Sequence, residues 1–429
     1  MAPTLLSYPE AAEQVHLFIH ALAAEHASQP QSAQSIETVL LGSATGRVLA
    51  TPVLADRDQP PFARSTRDGF ACRAAEANTH EYLFLAGRLR AGEAPSAPLG
   101  LGELCEIMTG APVPEGADAV FMVEYAEHSH AEDGSESSPD FVRLAASRTV
   151  EAGENVVPQG SEARAGDEVL PAGTRLHAPQ IALAALCGYH EVSVARRPRV
   201  AILTTGDEIV PVEATPGPSQ IRNSNAAMLA ALVEAAGGIS ILLPTAADQE
   251  EAVHRAIGSV LPPFEADLLL VSGGISAGRF DLVEDALTRF GARFFFGGVA
   301  IQPGKPVVFG QLPRLGSPAL PFFALPGNPI SSAVTFHLFA APLLAALGDD
   351  TAPQPRFAMA RLAGQWKGKA GLTRFLPAYC DFGPAPEVRL IPWQGSGDLA
   401  AYGRSNCFLV IAPETTELEN SALVQIMFT

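Results

Sequence analysis

The chain is short of positive charge. Its 28 lysines and arginines face 46 aspartates and glutamates, for a formal net charge of -18 and a pI near 5.0. A general nucleic-acid or membrane-surface binder needs a basic footprint, so the balance argues against both classes. Any anionic ligand has to be held by local groups, not by the overall field. Cysteine is also scarce: Cys72, Cys105, Cys187, Cys380 and Cys407 are far apart, odd in number and never in C-x-x-C spacing. That pattern predicts neither a zinc site nor a disulfide framework, and it fits a reduced compartment. There is no basic-then-apolar leader, and no apolar run approaches the ~20 residues of a membrane span, so a cytoplasmic location is expected. The common nucleotide motifs are missing as well. No strand-like run leads into G-x-G-x-x-G, and no G-x-S-x-G elbow occurs. "GGVAIQPGKP" fails as a P-loop, with Val299 in place of the first glycine and Pro306 in place of Ser/Thr.

What is present is a globular, loop-rich chain of 429 residues with 38 glycines and 36 prolines, long enough for about three domains at ~150 residues each. Residues 7–25 predict an amphipathic helix. Ser7 and Glu10 have capping-box spacing, and Val15, Phe18, Ile19 and Leu22 form one apolar stripe. His16 and His20 lie four apart on it, but no third metal ligand is evident. Residues 46–149 change to short apolar runs broken by Gly and Pro, which predicts an inserted β-rich module with a solvated hairpin loop at 128–140. The segment 150–195 contains the helix-like "PQIALAALCGY", ending at Gly188. With residues 1–45 it predicts a discontinuous helical domain.

After "RRPRV", apolar strands alternate with 10- to 20-residue helices over 196–348, the signature of a mostly parallel α/β sheet with helices on both faces. Short β-like runs over 349–429 predict a small closing β domain. In open α/β sheets, ligands bind at the carboxyl ends of strands. Three such ends stand out: "LTTGDEIV" (Thr205, Gly206, Asp207, Glu208), "VSGGISAGRFD" (Ser272, Gly273, Gly274, Ser276, Asp281) and "ALPGNPISS" (Pro326, Gly327, Asn328, Pro329). Small residues there expose backbone N–H groups to an anion, and the first two loops add carboxylates suited to Mg²⁺ beside a phosphate. Turn-making alone would explain one such loop; three on one sheet edge point to a site. Lys305 is a further anion contact. In the β module, "MTGAPVPEGADAV" holds Thr109 and Gly110 in a Gly/Pro-fixed loop, and "PPFARSTRDGFA" (60–71) is a basic, hydroxyl-bearing loop carrying Ser65 and Asp68.

Taken together, "STRDGFA", "TGAPVPEGADAV", "TTGDEIV", "SGGISAG" with Asp281, "IQPGKP" and "LPGNP" resemble the molybdopterin molybdenumtransferase family, the MoeA-type enzymes that include the E domain of gephyrin. The motifs follow the family's order over nearly the whole chain. The resemblance implies four domains, with a molybdopterin-binding α/β domain as the third. It also implies a homodimer whose active site is shared between subunits. The implied reaction takes adenylylated molybdopterin and molybdate, inserts the metal and releases AMP with Mg²⁺. Glu208, Asp248, Asp281 and Lys305 would be catalytic, with Glu208 and Asp281 as metal ligands. Ser65, Asp68, Thr109, Gly110, the TTGD and SGGIS residues and Pro326–Pro329 would bind substrate. An upstream molybdopterin adenylyltransferase and downstream molybdoenzyme acceptors would be its partners.

The chain departs from the family at Ala63, Arg67, Glu162, Gln302 and Gly298, the last two standing where the family often has lysine or another basic residue. Arg64 and Arg67 are candidates to replace the lost charge. A non-catalytic pterin-binding scaffold is the alternative these departures favour. The adenylyltransferase that precedes this step shares only the middle domain, so residues 1–195 and 353–429 argue against that third reading.

Overall fold

A computed structural model describes residues 5–28, 36–129, 140–262, 266–274, 282–314, 318–350 and 355–429. The chain divides into two compact units. One comprises Met1–Ala50, Gly173–His177 and Glu191–Thr429; the other comprises Thr51–Ala172 and Ala178–His190.

Helix α1 (Tyr8–Ser28) opens the first unit. Its capping box forms as the sequence predicts: the Ser7 N–H and hydroxyl both donate to Glu10, at 2.8 and 2.7 Å. The apolar stripe is spent on the α/β core, where the Phe18 ring meets Phe295 and Phe309 edge-on, each at 5.3 Å. No three His, Cys, Asp or Glu side chains among the described residues converge to hold a metal.

The second unit is built on a six-stranded sheet. Its strands are β1 (Gly69–Cys72), β2 (Leu83–Leu89), β3 (Glu103–Ile107), β4 (Ala119–Met122), β5 (Ala126–Ser129) and β6 (Phe141–Leu144), in the order β4-β1-β3-β2-β6-β5. All neighbours are antiparallel except β2 and β3. Phe70 and Phe121 stack at 5.3 Å in its core. Strands β5 and β6 pair as a hairpin, while most of the loop at 128–140 lies outside the described residues. Helix α2 (Ala178–Leu186) belongs to this unit, whereas α1 belongs to the other. The two segments expected to make a discontinuous helical domain are joined by the antiparallel pairing of Ile36–Leu40 with Glu191–Ala195.

The α/β part of the first unit runs β7 (Arg199–Thr204), α3 (Ser224–Ala235), β8 (Ile239–Leu242), α4 (Glu250–Gly258), β9 (Leu268–Ser272), α5 (Leu282–Arg289), β10 (Arg293–Gly297), β11 (Val308–Leu312), β12 (Leu320–Leu325), α6 (Pro329–Thr335) and α7 (Ala341–Leu347). A π-helical turn, Phe336–Ala340, joins α6 to α7. The sheet order is β8-β7-β9-β12-β11-β10. The first four strands are parallel and the last two antiparallel. Each central strand is buried on both faces with a period of two: Val200 and Ile202 enter one core, Ala201 and Leu203 the other. The stretch Pro329–Leu347 is long and apolar enough to cross a membrane, but it is 72% buried within this core.

The C-terminal strands β13 (Phe357–Leu362), β14 (Thr373–Asp381), β15 (Glu387–Leu390), β16 (Cys407–Ile411) and β17 (Leu423–Phe428) close on themselves. The pairing runs β14-β15-β13-β17-β16 and back to β14. All five cysteines are buried and unpaired.

Candidate active site at the strand ends

Three of the sequence-predicted loops meet at the carboxyl edge of β7, β9 and β12. The Thr205 N–H donates to the Ser272 carbonyl at 3.0 Å, and the Gly273 N–H donates to the Leu325 carbonyl at 3.3 Å. Gly273 has φ +101, and a Cβ built there would lie 2.6 Å from the Thr205 carbonyl oxygen. Only glycine lets these two backbones pass so closely. A Cβ on Gly327 would lie 3.5 Å from the Gly273 Cα, so the third loop joins the same edge. Ser276 and Asp281 lie outside the described residues.

Carboxylates gather beside this edge. The Asp248 N–H donates to Asp207 Oδ1 at 3.1 Å, and Glu208 follows directly in the chain. The Asp248 carboxyl is pushed above the ordinary aspartate range. Partial burial is the larger cause and the charges of Asp207 and Glu208 add to it, outweighing the hydrogen bonds it accepts. Such mutual repulsion is what a bound cation relieves. The donors are hard oxygens, as Mg²⁺ requires, and Mg²⁺ commonly takes one or two carboxylates and completes its shell with phosphate and water. The absence of a three-ligand cage among the described residues is compatible with that habit.

Two asparagines, Asn223 and Asn225, stand at the start of α3, and both do more than begin a helix. Asn223 caps α3 by accepting from the Ala226 N–H, and its amide nitrogen donates to Thr204 Oγ1 at 2.8 Å and Thr245 Oγ1 at 3.1 Å. Asn225 donates from Nδ2 to Ser272 Oγ at 2.9 Å and to the Gly327 carbonyl at 2.7 Å. The capping pattern was visible in the sequence; the cross-loop contacts depend on tertiary placement. From the C-terminal part, the Ser396 carbonyl accepts from the Ile330 N–H at 3.0 Å, taking up one donor of the α6 N-terminus.

Lys305 is exposed in the turn after the cis Gln302–Pro303 bond. Across the strand pairing, Gln302 stands opposite Arg374, which is buried and lies 5.5 Å over the Trp366 ring. A separate cavity of about 1050 Å³, lined by Arg47, Arg175, Arg197, Glu234, His337 and Asp350, contains none of the predicted site residues. Its three named arginines are already in ion pairs with Glu37, Asp350 and Glu234.

In the second unit, the "STRDGFA" loop is tied down internally. Ser65 Oγ donates to the Arg67 carbonyl at 2.6 Å and accepts from the Arg67 N–H at 3.2 Å. The Gly110 N–H donates to the Ser65 carbonyl at 2.8 Å. Asp68 Oδ1 accepts from both the Thr109 N–H (2.7 Å) and its hydroxyl (2.8 Å), which together hold the carboxyl below its ordinary range, the backbone donor contributing more. A Cβ on Gly69 would fall 1.9 Å from the Phe121 carbonyl oxygen, so the D-G step is fixed by the β1–β4 pairing. The sequence offered Arg64 as a replacement cation, but the structure commits it to Glu162 at 3.1 Å. Arg67 remains exposed with no ion pair to a described residue.

The chain is similar to known proteins over nearly its full length. Residues 6–188 match the MoeA N-terminal region (domain I and II), 201–346 the probable molybdopterin binding domain, and 359–428 the MoeA C-terminal region (domain IV). A molybdopterin molybdenumtransferase of a Nostoc species is 35% identical over 325 residues, 74% of this chain and 70% of the relative. The chain belongs to the molybdopterin molybdenumtransferase family. The Bacillus subtilis member is 30% identical over 91% of this chain and 89% of its own. Among solved structures, the molybdopterin biosynthesis MoeA protein of Pyrococcus horikoshii superposes with a TM-score of 0.76 at 25% identity, covering 99% of this chain and 100% of that one. Of the expected site residues that are described, Ser272 ends β9, Pro329 opens α6, Ser65 lies in the short strand Arg64–Ser65, and the others lie outside strands and helices.

Proposed function

We propose that this protein is the transferase of molybdenum cofactor biosynthesis that takes adenylylated molybdopterin and molybdate, places the metal on the pterin dithiolene and releases AMP. The observation that carries this reading is the convergence of three glycine-bearing strand ends, with Asp207, Glu208 and Asp248 beside them, in a chain that matches its family from end to end.

Both substrates are anions, so the site has to gather negative groups without an overall attractive field. The backbone N–H groups of Gly274, Gly327 and Asn328 would cradle phosphate or molybdate oxygens, with Lys305 at the rim, while Gly206 and Gly273, whose own N–H groups are spent on the Ala246 and Leu325 carbonyls, Thr205 and Ser272 would shape the edge that the substrate meets. Glu208 and Asp281, supported by Asp207 and Asp248, would hold Mg²⁺, which when bound neutralises charge at the phosphoanhydride that breaks to free AMP. Asp68, pre-set by Thr109, and Ser65 would present the β-module loop to substrate. We assign the protein to a homodimer with its site shared between subunits, to the family's four-domain division and to the reducing cytoplasm. An adenylyltransferase would supply its substrate and a molybdoenzyme-side acceptor would receive its product.

The test is AMP release from adenylylated molybdopterin with Mg²⁺, with and without molybdate. Molybdate-dependent release by the wild type, lost in Asp281→Asn and Glu208→Gln, is the expected outcome. Gln302, Gly298 and the pairing of Arg64 with Glu162 reduce the cationic charge available near the site and favour a scaffold as the second reading. Wild-type binding of substrate without any AMP release would establish that scaffold role instead.

A further inference from the structure

Asn225 lies at the start of α3, yet its side chain serves a different loop. Both of its amide protons are used, one on Ser272 Oγ and one on the Gly327 carbonyl. A carbonyl can only accept, so the nitrogen has to face Gly327, which settles the orientation of the amide. Ser272 Oγ in turn lies 3.4 Å from Ser332 Oγ, and the Ser332 hydroxyl donates to the Pro326 carbonyl. With the Ser332 proton spent there, the Ser272 proton has to point at Ser332. One side chain thus anchors two successive carbonyls: Gly327 directly, and Pro326 through two serines.

The consequence follows from peptide geometry. In a planar trans peptide the C=O and N–H point in opposite directions. Among the described residues the cis bonds are Gln59–Pro60 and Gln302–Pro303, so the peptides after Pro326 and Gly327 are trans. Holding both carbonyls inward turns the N–H groups of Gly327 and Asn328 outward. Both residues are exposed, and neither N–H has an acceptor among the described residues. Two adjacent outward N–H groups on a fixed loop form an oxyanion cradle. The next N–H along the helix start, that of Ile330, is already taken by the Ser396 carbonyl.

We propose that Asn225 is the positioning residue of this cradle: through the Gly327 and Pro326 carbonyls it aims the Gly327 and Asn328 amides at an oxyanion of the substrate, a phosphate or molybdate oxygen. The inference rests on the transferase reading for the identity of that oxyanion, and on the geometry alone for the cradle.

The experiment measures binding of AMP and, separately, molybdate to the full-length protein by calorimetry, for wild type, Asn225→Ala, Asn225→Asp and Ser272→Ala. A misaimed charge-assisted donor predicts a rise in Kd of about 10- to 100-fold for at least one ligand in Asn225→Ala, and a smaller rise in Ser272→Ala, which frees only the Pro326 arm. In Asn225→Asp the carboxylate repels the Gly327 carbonyl. Binding relative to wild type should therefore recover as pH falls and the acid regains a proton to donate, while Asn225→Ala stays weak. A purely structural role for Asn225 would give no such pH-dependent rescue. As a local readout, ¹³C′-proline and ¹⁵N-glycine labelling isolates the three Pro–Gly steps, at 216–217, 303–304 and 326–327. Ligand should shift the Gly327 amide in wild type and leave it unmoved in Asn225→Ala. Wild-type failure to bind either anion would overturn the ligand reading. Wild-type binding with unchanged affinity in folded Asn225→Ala and Asn225→Asp would overturn the positioning role.

Discussion

Gly273→Ala isolates the contact that brings two of the strand ends together. A new Cβ would start 2.6 Å from the Thr205 carbonyl oxygen and 3.0 Å from its hydroxyl, so the backbones have to part by about 0.8 Å to reach the 3.4 Å of ordinary contact. The φ of +101 adds a strain of about 1–2 kcal/mol for any L side chain. Parting of the strand ends brings the total destabilisation to about 2–4 kcal/mol. The functional loss should be larger than the stability loss suggests. Thr205 leads directly into Gly206, Asp207 and Glu208, and a shift approaching 1 Å between groups that hold one substrate costs on the order of 100-fold in kcat/KM. The control is Gly92→Ala, at φ +89 with no atom within 4 Å of the added Cβ. It carries a comparable backbone strain without the contact, and should cost about 1–2 kcal/mol with kcat/KM unchanged. Chemical denaturation and molybdate-dependent AMP release measure the two quantities. Gly273→Ala indistinguishable from Gly92→Ala in both would refute the argument that close backbone approach builds this edge.

Arg67→Ala should raise the KM for adenylylated molybdopterin several-fold, whereas Arg64→Ala, whose guanidinium is spent on exposed Glu162, should change stability by less than about 1 kcal/mol and leave KM near wild type; equal effects would show that the ion pair opens in the complex. Phe309, fully buried with rings of Phe18, Phe295, Phe296 and Phe323 around it, should cost about 3–5 kcal/mol on truncation to alanine, read by denaturation. Burial holds the His337 imidazole down at about 4, and its Nε2 has no partner among the described residues. Its folded pKa lies below the unfolded value near 6.5, so it contributes stability above pH 6.5 that is lost as pH falls towards 4, by at most about 3 kcal/mol. A stability–pH profile should show this loss in wild type and not in His337→Gln; parallel profiles would refute it.

Much of the organisation can be read along the chain because it depends on local chemistry. The Ser7–Glu10 box, the Val15/Phe18/Leu22 stripe and the strand–helix alternation after residue 199 all encode short-range periodicity, and each appears where the residues place it. The glycine- and asparagine-rich strand ends could be listed from the sequence because an open α/β sheet directs its loops to one edge. Tertiary structure alone decided which partner each side chain takes. Arg64 looked like a spare cation until the pairing of Arg64–Ser65 with Val156–Val157 accompanied its ion pair with Glu162. The α1 stripe could have faced any apolar surface until the α/β core took it. Asn225 stands at a helix start, yet its contacts with Ser272 and Gly327 lie 47 and 102 residues away in the chain. Periodicity and turn chemistry act over a few residues, so a sequence displays them directly. Charge pairing, close backbone approach and amide orientation arise between distant segments, and they exist only once the sheet has brought those segments together.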